Sequence, residues 1–453
     1  MLEIFEYKGV WYLPDSPEER ISGILRFSPD EGAILELIGT LKGEAKAKYS
    51  PVEFEIVLGT STDGKEIILY DCVLIQSSIF ADFLHYPTAS TLRVSYLLVG
   101  THLNKIDQLR VKALGIEYAH LDEWVNTFGF DVRISEDRKS AVIQYDLPAR
   151  ILAASLETYT AFIEFKSKWP VLSRVQRRAE IKQTVYISIT PTQQMSFEEL
   201  LRVEFRLTTF LGLAIANSVG PTAITCWTEN KEVVEIYYQL INTPSDSGML
   251  LPDDMLFTLA DTKGQLPLYL ESWLRKADLL EPIYSLYFAS VSNTRTFLEH
   301  RFLSLAQAIE SYHRRCKNNS VIPKSEYRAK KNRIINTVDE EDKEWLKQKL
   351  AYSNEPSLRE RLEEICTENS AVLTKVMNNT KPFIGKVVET RNYYTHFNER
   401  LKEKRAGGQQ LYILSQRLKM LLELCLLREI GFDDATLIAL VERNRRFKIE
   451  AQY

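Results

Sequence analysis

Apolar residues alternate with polar ones along much of the first 285 positions, and from about residue 286 they recur every three to four positions. A period of two places side chains on one face of a strand, and a period near 3.6 places them on one face of a helix. The change of period divides the chain into a strand-rich first part and a helical second part. In the first part, Phe54-Glu55-Ile56-Val57-Leu58 and Glu66-Ile67-Ile68-Leu69-Tyr70 flank Ser61-Thr62-Asp63-Gly64, and an Asp-Gly turn between β-rich runs predicts a hairpin. Ala33 to Leu41, Leu92 to Val99, Val132 to Ile134, Ala141 to Leu147, Tyr159 to Phe165, Thr184 to Ile189, Ala223 to Trp227 and Val233 to Tyr238 read as further strands. Many short strands predict a β-sandwich or barrel-like body. One helix interrupts them at Ser196-Phe197-Glu198-Glu199, a capping-type start, and Asn242 to Asp254 reads as a loop.

In the second part, Leu298, Phe302, Leu305, Ile309 and Tyr312 form one helical stripe. A basic stretch, Arg314 to Arg333, follows, and another helix is expected near Glu355-Pro356-Ser357. Lys381-Pro382 opens a helix expected to end at Ala406-Gly407-Gly408. Leu411 to Leu426 line a long apolar-faced helix that stops at Gly431, and Asp433-Asp434 starts the last one. The expected fold class is α+β multidomain, a sandwich-like β-rich region over residues 1–285 followed by an α-helical bundle over 286–453. The first region can divide again near 150–195.

The 453 residues are too many for one ordinary core. A net charge of -4 conceals an asymmetry: residues 286–453 hold 30 Lys and Arg against 22 Asp and Glu, and the remainder holds 27 against 39. That distribution points to a polyanion as partner of the helical part. No apolar run is long enough for a bilayer, and Met1-Leu2-Glu3-Ile4-Phe5-Glu6 is not a secretory leader, so a cytoplasmic protein with no membrane contact is expected. The five scattered cysteines, Cys72, Cys226, Cys316, Cys366 and Cys425, then read as reduced thiols. Trp124, Trp169 and Trp227 read as core residues sooner than as a ligand groove.

Six histidines limit the possible chemistry: His85, His102, His120, His300, His313 and His396. None has the companions of a metal site at ligand spacing, and the His313–Cys316 pair lacks a second pair. Phosphate-loop, nucleophile-elbow and H-E-x-x-H motifs are absent, so neither metal nor cofactor is expected. Arg391 and His396 remain. Arginine binds phosphate with permanent charge, and histidine transfers protons near neutrality. Five positions apart on a helix, they differ by about 140° around the axis and about 7.5 Å along it, so both can border one cleft. RNA brings its own nucleophile, the 2′-OH. The spacing recurs in Arg295-Thr296-Phe297-Leu298-Glu299-His300, whose apolar interior and Glu299 make it the poorer site.

Arg391-Asn392-Tyr393-Tyr394-Thr395-His396 resembles the R-x4-H signature of HEPN ribonucleases in the form with a polar residue after the arginine. The long β-rich region ahead of it is similar to the arrangement in the ApeA-like family of bacterial anti-phage proteins. The resemblance implies a metal-independent endoribonuclease that cuts RNA, tRNA among the candidates, in the infected cell. It also implies a homodimer, or a higher homo-oligomer, whose two motifs meet in a composite site. His396 would move protons, Arg391 would stabilise charge on phosphate, and Asn392, Thr395 and Glu310 would support them. Tyr393 and Tyr394 would stack on bases, while Arg314, Arg315, Lys330, Lys331 and the Lys402-Glu403-Lys404-Arg405 end of the motif helix would track the backbone. Asn398 stands where one subfamily has a tyrosine two places after the histidine, which argues against silencing by modification there. The β-rich region would sense a phage-derived activator. The competing reading is a non-catalytic RNA- or ligand-binding or dimerisation protein with a degenerate HEPN domain.

Overall fold

The computed structural model describes residues 4–42, 52–77, 88–170, 179–240, 250–292, 296–377 and 379–450. It separates into two units: Met1–Pro252 with Phe257–Glu271, and Asp253–Leu256 with Ser272–Tyr453.

The first unit is built on fourteen strands among the described residues: β1 (Phe5–Tyr12), β2 (Ile21–Ser28), β3 (Gly32–Leu37), β4 (Glu53–Ser61), β5 (Glu66–Ser77), β6 (Ser90–Val99), β7 (Val111–Tyr118), β8 (Phe130–Ile134), β9 (Ala141–Tyr145), β10 (Ile151–Ser155), β11 (Tyr159–Lys168), β12 (Lys182–Pro191), β13 (Pro221–Thr228) and β14 (Val233–Tyr238). Twelve form one antiparallel sheet in the order β10-β11-β12-β7-β13-β14-β6-β3-β2-β1-β4-β5, and β5 pairs back onto β6. The strands β6-β3-β2-β1-β4-β5 therefore close a six-stranded barrel, and the other six continue from it as an open sheet. The sandwich-like expectation takes this more specific form. β6 makes the junction. β5 runs along one edge of β6, and the other edge pairs with β3 through Ser90 to Val94 and with β14 through Tyr96 to Val99.

Inward-facing residues at alternate positions fill the barrel, among them Trp11, Leu25, Leu35, Val57, Ile67, Leu69 and Leu97, all fully buried. The Trp11 ring lies over Gly59, its partner across β1 and β4, where an added Cβ would stand 2.2 Å from the indole. The expected hairpin at Asp63-Gly64 joins β4 to β5, with Gly64 at φ 85°. Helix α1 (Leu121–Val125) and helix α2 (Phe197–Ile215) pack on the open sheet, and α2 begins at Ser196 with the expected capping box. Trp124 is buried and donates from Nε1 to the Phe257 carbonyl at 3.0 Å, whereas Trp169 and Trp227 are exposed and do not join the core.

Helix α3 (Leu266–Ser292) begins twenty residues before the expected change of period. Its buried Tyr269, Trp273, Ala277, Leu280, Ile283 and Tyr287 carry the helical spacing, but Pro282 sits inside the run. Proline has no N–H to donate four residues back, which frees the Asp278 carbonyl. Arg315 replaces the missing donor. Its guanidinium donates to Asp278 O at 3.1 Å and to Leu279 O at 2.7 Å.

The second unit continues with α4 (Leu298–Cys316), α5 (Lys324–Ile335), α6 (Glu340–Lys349), α7 (Leu358–Glu368), α8 (Ser370–Leu373), α9 (Thr380–His396), α10 (Gln409–Ile430), α11 (Asp434–Arg443) and α12 (Arg445–Glu450). α10 is buried almost all round, and α4 packs on α7, α9 and α10. Glu423 on α10 is tolerated inside because Tyr287 donates to it at 2.7 Å and Arg446 lies 3.4 Å away. The stretch Arg314 to Arg333 is not one helix: α4 stops at Cys316, and α5 starts at Lys324. The five cysteines are free thiols, four of them buried. Among the described residues, no helix is long and apolar enough to cross a membrane. His85, Arg295 and most of the Asn242 to Asp254 stretch lie outside the described residues.

Candidate active site

The motif occupies the last turn and a half of α9, which ends sooner than its sequence suggests. Phe397 takes the left-handed conformation at φ 48° and closes the helix by donating to the Tyr393 carbonyl. Asn398 then caps a short turn through a bond from the Arg400 N–H at 3.1 Å. Residues 402–405 therefore belong to the return loop and not to the motif helix. The loop is fastened to α9: the Ala406 N–H donates to Thr390 Oγ1 at 3.0 Å, and Lys386 donates to the Lys404 carbonyl at 2.8 Å.

That fastening decides the roles of the two tyrosines. Arg405 lies over both rings, 4.9 Å from the Tyr393 centroid and 5.5 Å from that of Tyr394, and donates to the Tyr394 hydroxyl at 2.9 Å. Tyr393 also packs edge-on against Tyr394 and Phe397 and is buried. Tyr393 is thus a packing residue whose face is taken, which corrects the expectation that it stacks on bases. Tyr394 is half-buried, with a hydroxyl raised above its ordinary range chiefly by burial.

Arg391 is half-buried beside α4. One terminal nitrogen lies 3.1 and 3.0 Å from the two carboxylate oxygens of Glu310, and the other donates to Asn392 Oδ1 at 3.2 Å. Glu310 and Asn392 accordingly do meet Arg391. A guanidinium has five N–H donors. The two oxygens of one carboxylate lie too close together to take separate hydrogens of a single nitrogen, so they share one. With two donors engaged, three are left to meet a phosphate oxygen. His396 and Thr395 are exposed at the end of α9. Among the described residues, His396 bonds to no protein group, and no bond joins it to Arg391.

Beneath Glu310 lies a polar group that the sequence did not reveal. His313 is fully buried, with Nδ1 2.9 Å from Arg361 and Nε2 2.8 Å from Glu364. Because arginine can only donate, Nδ1 must accept, so Nε2 carries the hydrogen and donates to Glu364. Burial pulls the Arg361 guanidinium below its ordinary range, and Arg314 adds repulsion, while Glu355 and Glu310 act against them. Arg314 itself is exposed and paired with Glu355 at 2.7 Å. The backbone-tracking set thus divides. Arg315 is committed to the α3 carbonyls, Arg314 is ion-paired, and Lys330 and Lys331 stand on α5 with no ion pair among the described residues. His300 is exposed near the start of α4. No group of three His, Cys, Asp or Glu side chains among the described residues is placed to hold a metal ion.

Residues 6–273 match the family model described as ApeA N-terminal domain 1, and residues 303–436 match the model described as Apea-like HEPN. The chain belongs to the ApeA-like HEPN family. No curated protein and no solved structure matches it. HEPN domains are usually ribonucleases, so at the coarse level the family points to a nuclease of anti-phage defence.

Proposed function

We propose that this protein is a metal-independent endoribonuclease of a bacterial anti-phage system, acting in the cytoplasm as a homodimer that places two α9 ends at one site. The carrying observation is the state of Arg391, fixed by Glu310 and Asn392 with three donors unspent, on the same helix end as a solvent-facing His396. In the reaction, an imidazole accepts the 2′-OH proton as the 2′-oxygen bonds to phosphorus. The bond from phosphorus to the 5′-oxygen breaks, and the second subunit's imidazole protonates that oxygen. The products are a cyclic phosphate end and a 5′-hydroxyl end. Arg391 stabilises the charge gathering on the non-bridging oxygens. The β-rich unit would hold the enzyme inactive until a phage product binds.

Purified protein incubated with total RNA in EDTA should degrade it. Loss of proton transfer in His396→Ala should slow cleavage by about 10²–10⁴-fold. Equal cleavage by both proteins would end the assignment. Growth arrest on overexpression, relieved by Arg391→Ala or His396→Ala, covers the case of a missing activator.

A further inference from the structure

The hairpin of α5 and α6 stands apart from the other helices in composition and burial. Its buried and half-buried apolar side chains follow one seam, Tyr327, Ile334 and Ile335 on α5 and Leu346 and Leu350 along α6. The seam is secured where the Tyr327 hydroxyl meets the Leu350 carbonyl at 2.5 Å and Ser353 Oγ at 2.6 Å. Nearly everything else on the two helices faces solvent.

The charges are arranged unevenly across it. Twelve-residue α5 bears Lys324, Arg328, Lys330, Lys331 and Arg333 against the single acid Glu326. None of the five has an ion pair among the described residues. Elsewhere in the helical unit, cations such as Arg314, Lys317, Lys375, Arg391 and Arg428 each have a carboxylate partner. On α6 two of the three lysines are matched internally, Lys343 to Glu340 and Lys347 to Glu344. Like charges three and four residues apart weaken an isolated helix, so the pairs Lys324–Arg328, Arg328–Lys331 and Lys330–Arg333 cost α5 stability. On α6, Trp345 is 60% exposed and has no ring or hydrogen-bond partner among the described residues.

Unpaired cations and an open indole on the same hairpin match a polyanion that also presents flat π-faces. A membrane surface would ask for an apolar face, which this hairpin has spent on its own seam. We propose that the α5–α6 hairpin is a single-stranded RNA-binding arm, in which α5 follows the phosphates and Trp345 stacks on a base. The identity of the polyanion rests on the nuclease reading above, and the arm adds a binding surface distinct from Arg391 and His396.

The test uses the full-length chain with His396→Ala, so that RNA stays intact, and a short fluorescently labelled single-stranded RNA read by anisotropy. Trp345→Ala should weaken binding by about 5- to 150-fold, the value of one stacked base. The triple change Lys324→Gln, Arg328→Gln, Lys330→Gln should lower the slope of log affinity against log salt by about two, at about 0.7 per neutralised contact on a single strand. Circular dichroism checks that both variants keep their helices, and all four positions are exposed. Unchanged affinity and slope in both variants, or no binding of RNA by the parent, overturns the arm. So does binding of a DNA duplex that is as tight and as dependent on Trp345. Cleavage by the unmutated parent is scored separately. A parent that binds RNA through the arm without cutting it, and whose overexpression does not arrest growth, removes the nuclease reading and leaves the arm. A parent that cuts RNA while the arm variants bind and cut equally well removes the arm alone.

Discussion

Glu310→Ala asks most directly what holds Arg391 in place. A single guanidinium nitrogen faces both Glu310 oxygens at 3.1 and 3.0 Å, with the two side chains 29% and 28% exposed. Solvent screens such a pair only in part. Exposed ion pairs contribute about 0.2–1 kcal/mol, and hydrogen bonds to charged groups about 1.5–3 kcal/mol, so a half-buried pair falls near 1–2 kcal/mol. If that energy fixes Arg391 where the transition state needs it, Glu310→Ala should lower kcat about 5- to 30-fold and leave KM nearly unchanged. Glu310→Gln keeps an acceptor oxygen without the charge. A neutral hydrogen bond is about half as strong, so the loss should shrink to about 2- to 5-fold. Single-turnover cleavage of a labelled RNA reads both variants. In an Arg391→Ala background the Glu310 change should add nothing, because its only route to the reaction is gone. Faster cleavage by Glu310→Ala would refute the argument, since it would mean that the carboxylate masks the cation instead of aiming it.

Arg315→Ala should cost about 1 kcal/mol by leaving the Asp278 and Leu279 carbonyls without their charged donor. That corresponds to a melting point about 2–4 °C lower for a unit of this size, with RNA affinity unchanged. Weaker RNA binding at an unaltered melting point would return this residue to the nucleic-acid surface. In the first unit, burial lifts the Glu204 carboxyl above its ordinary range, against hydrogen bonds from Thr208 and Tyr238. The folded chain keeps this proton when the unfolded chain has lost it, so stability falls as pH rises from the unfolded pKa through the folded one. Glu204→Gln should therefore melt higher at neutral pH, with the gain vanishing below about pH 4. An equal gain at every pH would show that the carboxyl is not the source.

The β4–β5 hairpin, the α2 capping box and the stop of α10 at Gly431 were legible because each rests on chemistry confined to a few neighbouring residues. Barrel closure was not, because β5 returning to β6 and β1 pairing with β4 are set by register across long separations. The first half of α3 was hidden by Pro282, whose effect is cancelled by a side chain on α4. At the site, Arg391 meets Asn392 and Glu310; the stripe on α4 left Glu310 off the apolar face, but its turn toward α9 is set by the packing of the two helices and was only one of the sequence's options. The burial of Tyr393 was not readable. It depends on Arg405 folding back after a helix end at Phe397, a residue with no local signature of the left-handed conformation. The Arg361–His313 contact joins residues 48 positions apart, and only the packing of α7 on α4 brings them together.

In the first unit, β6 belongs at once to a closed ring and to the open sheet that leaves it, with β3 and β14 meeting end to end along one of its edges. A ring of hydrogen-bonded strands cannot slide one member by a single residue without turning every inward side chain outward. A displacement of β14 therefore cannot be absorbed by slippage at β6. It has to reach the whole ring as a rigid tilt, or else rip the shared edge. Anything that grips the open sheet pulls on the barrel at β6, and also through β14, whose Tyr237 packs on Phe5 and Phe27 of the ring.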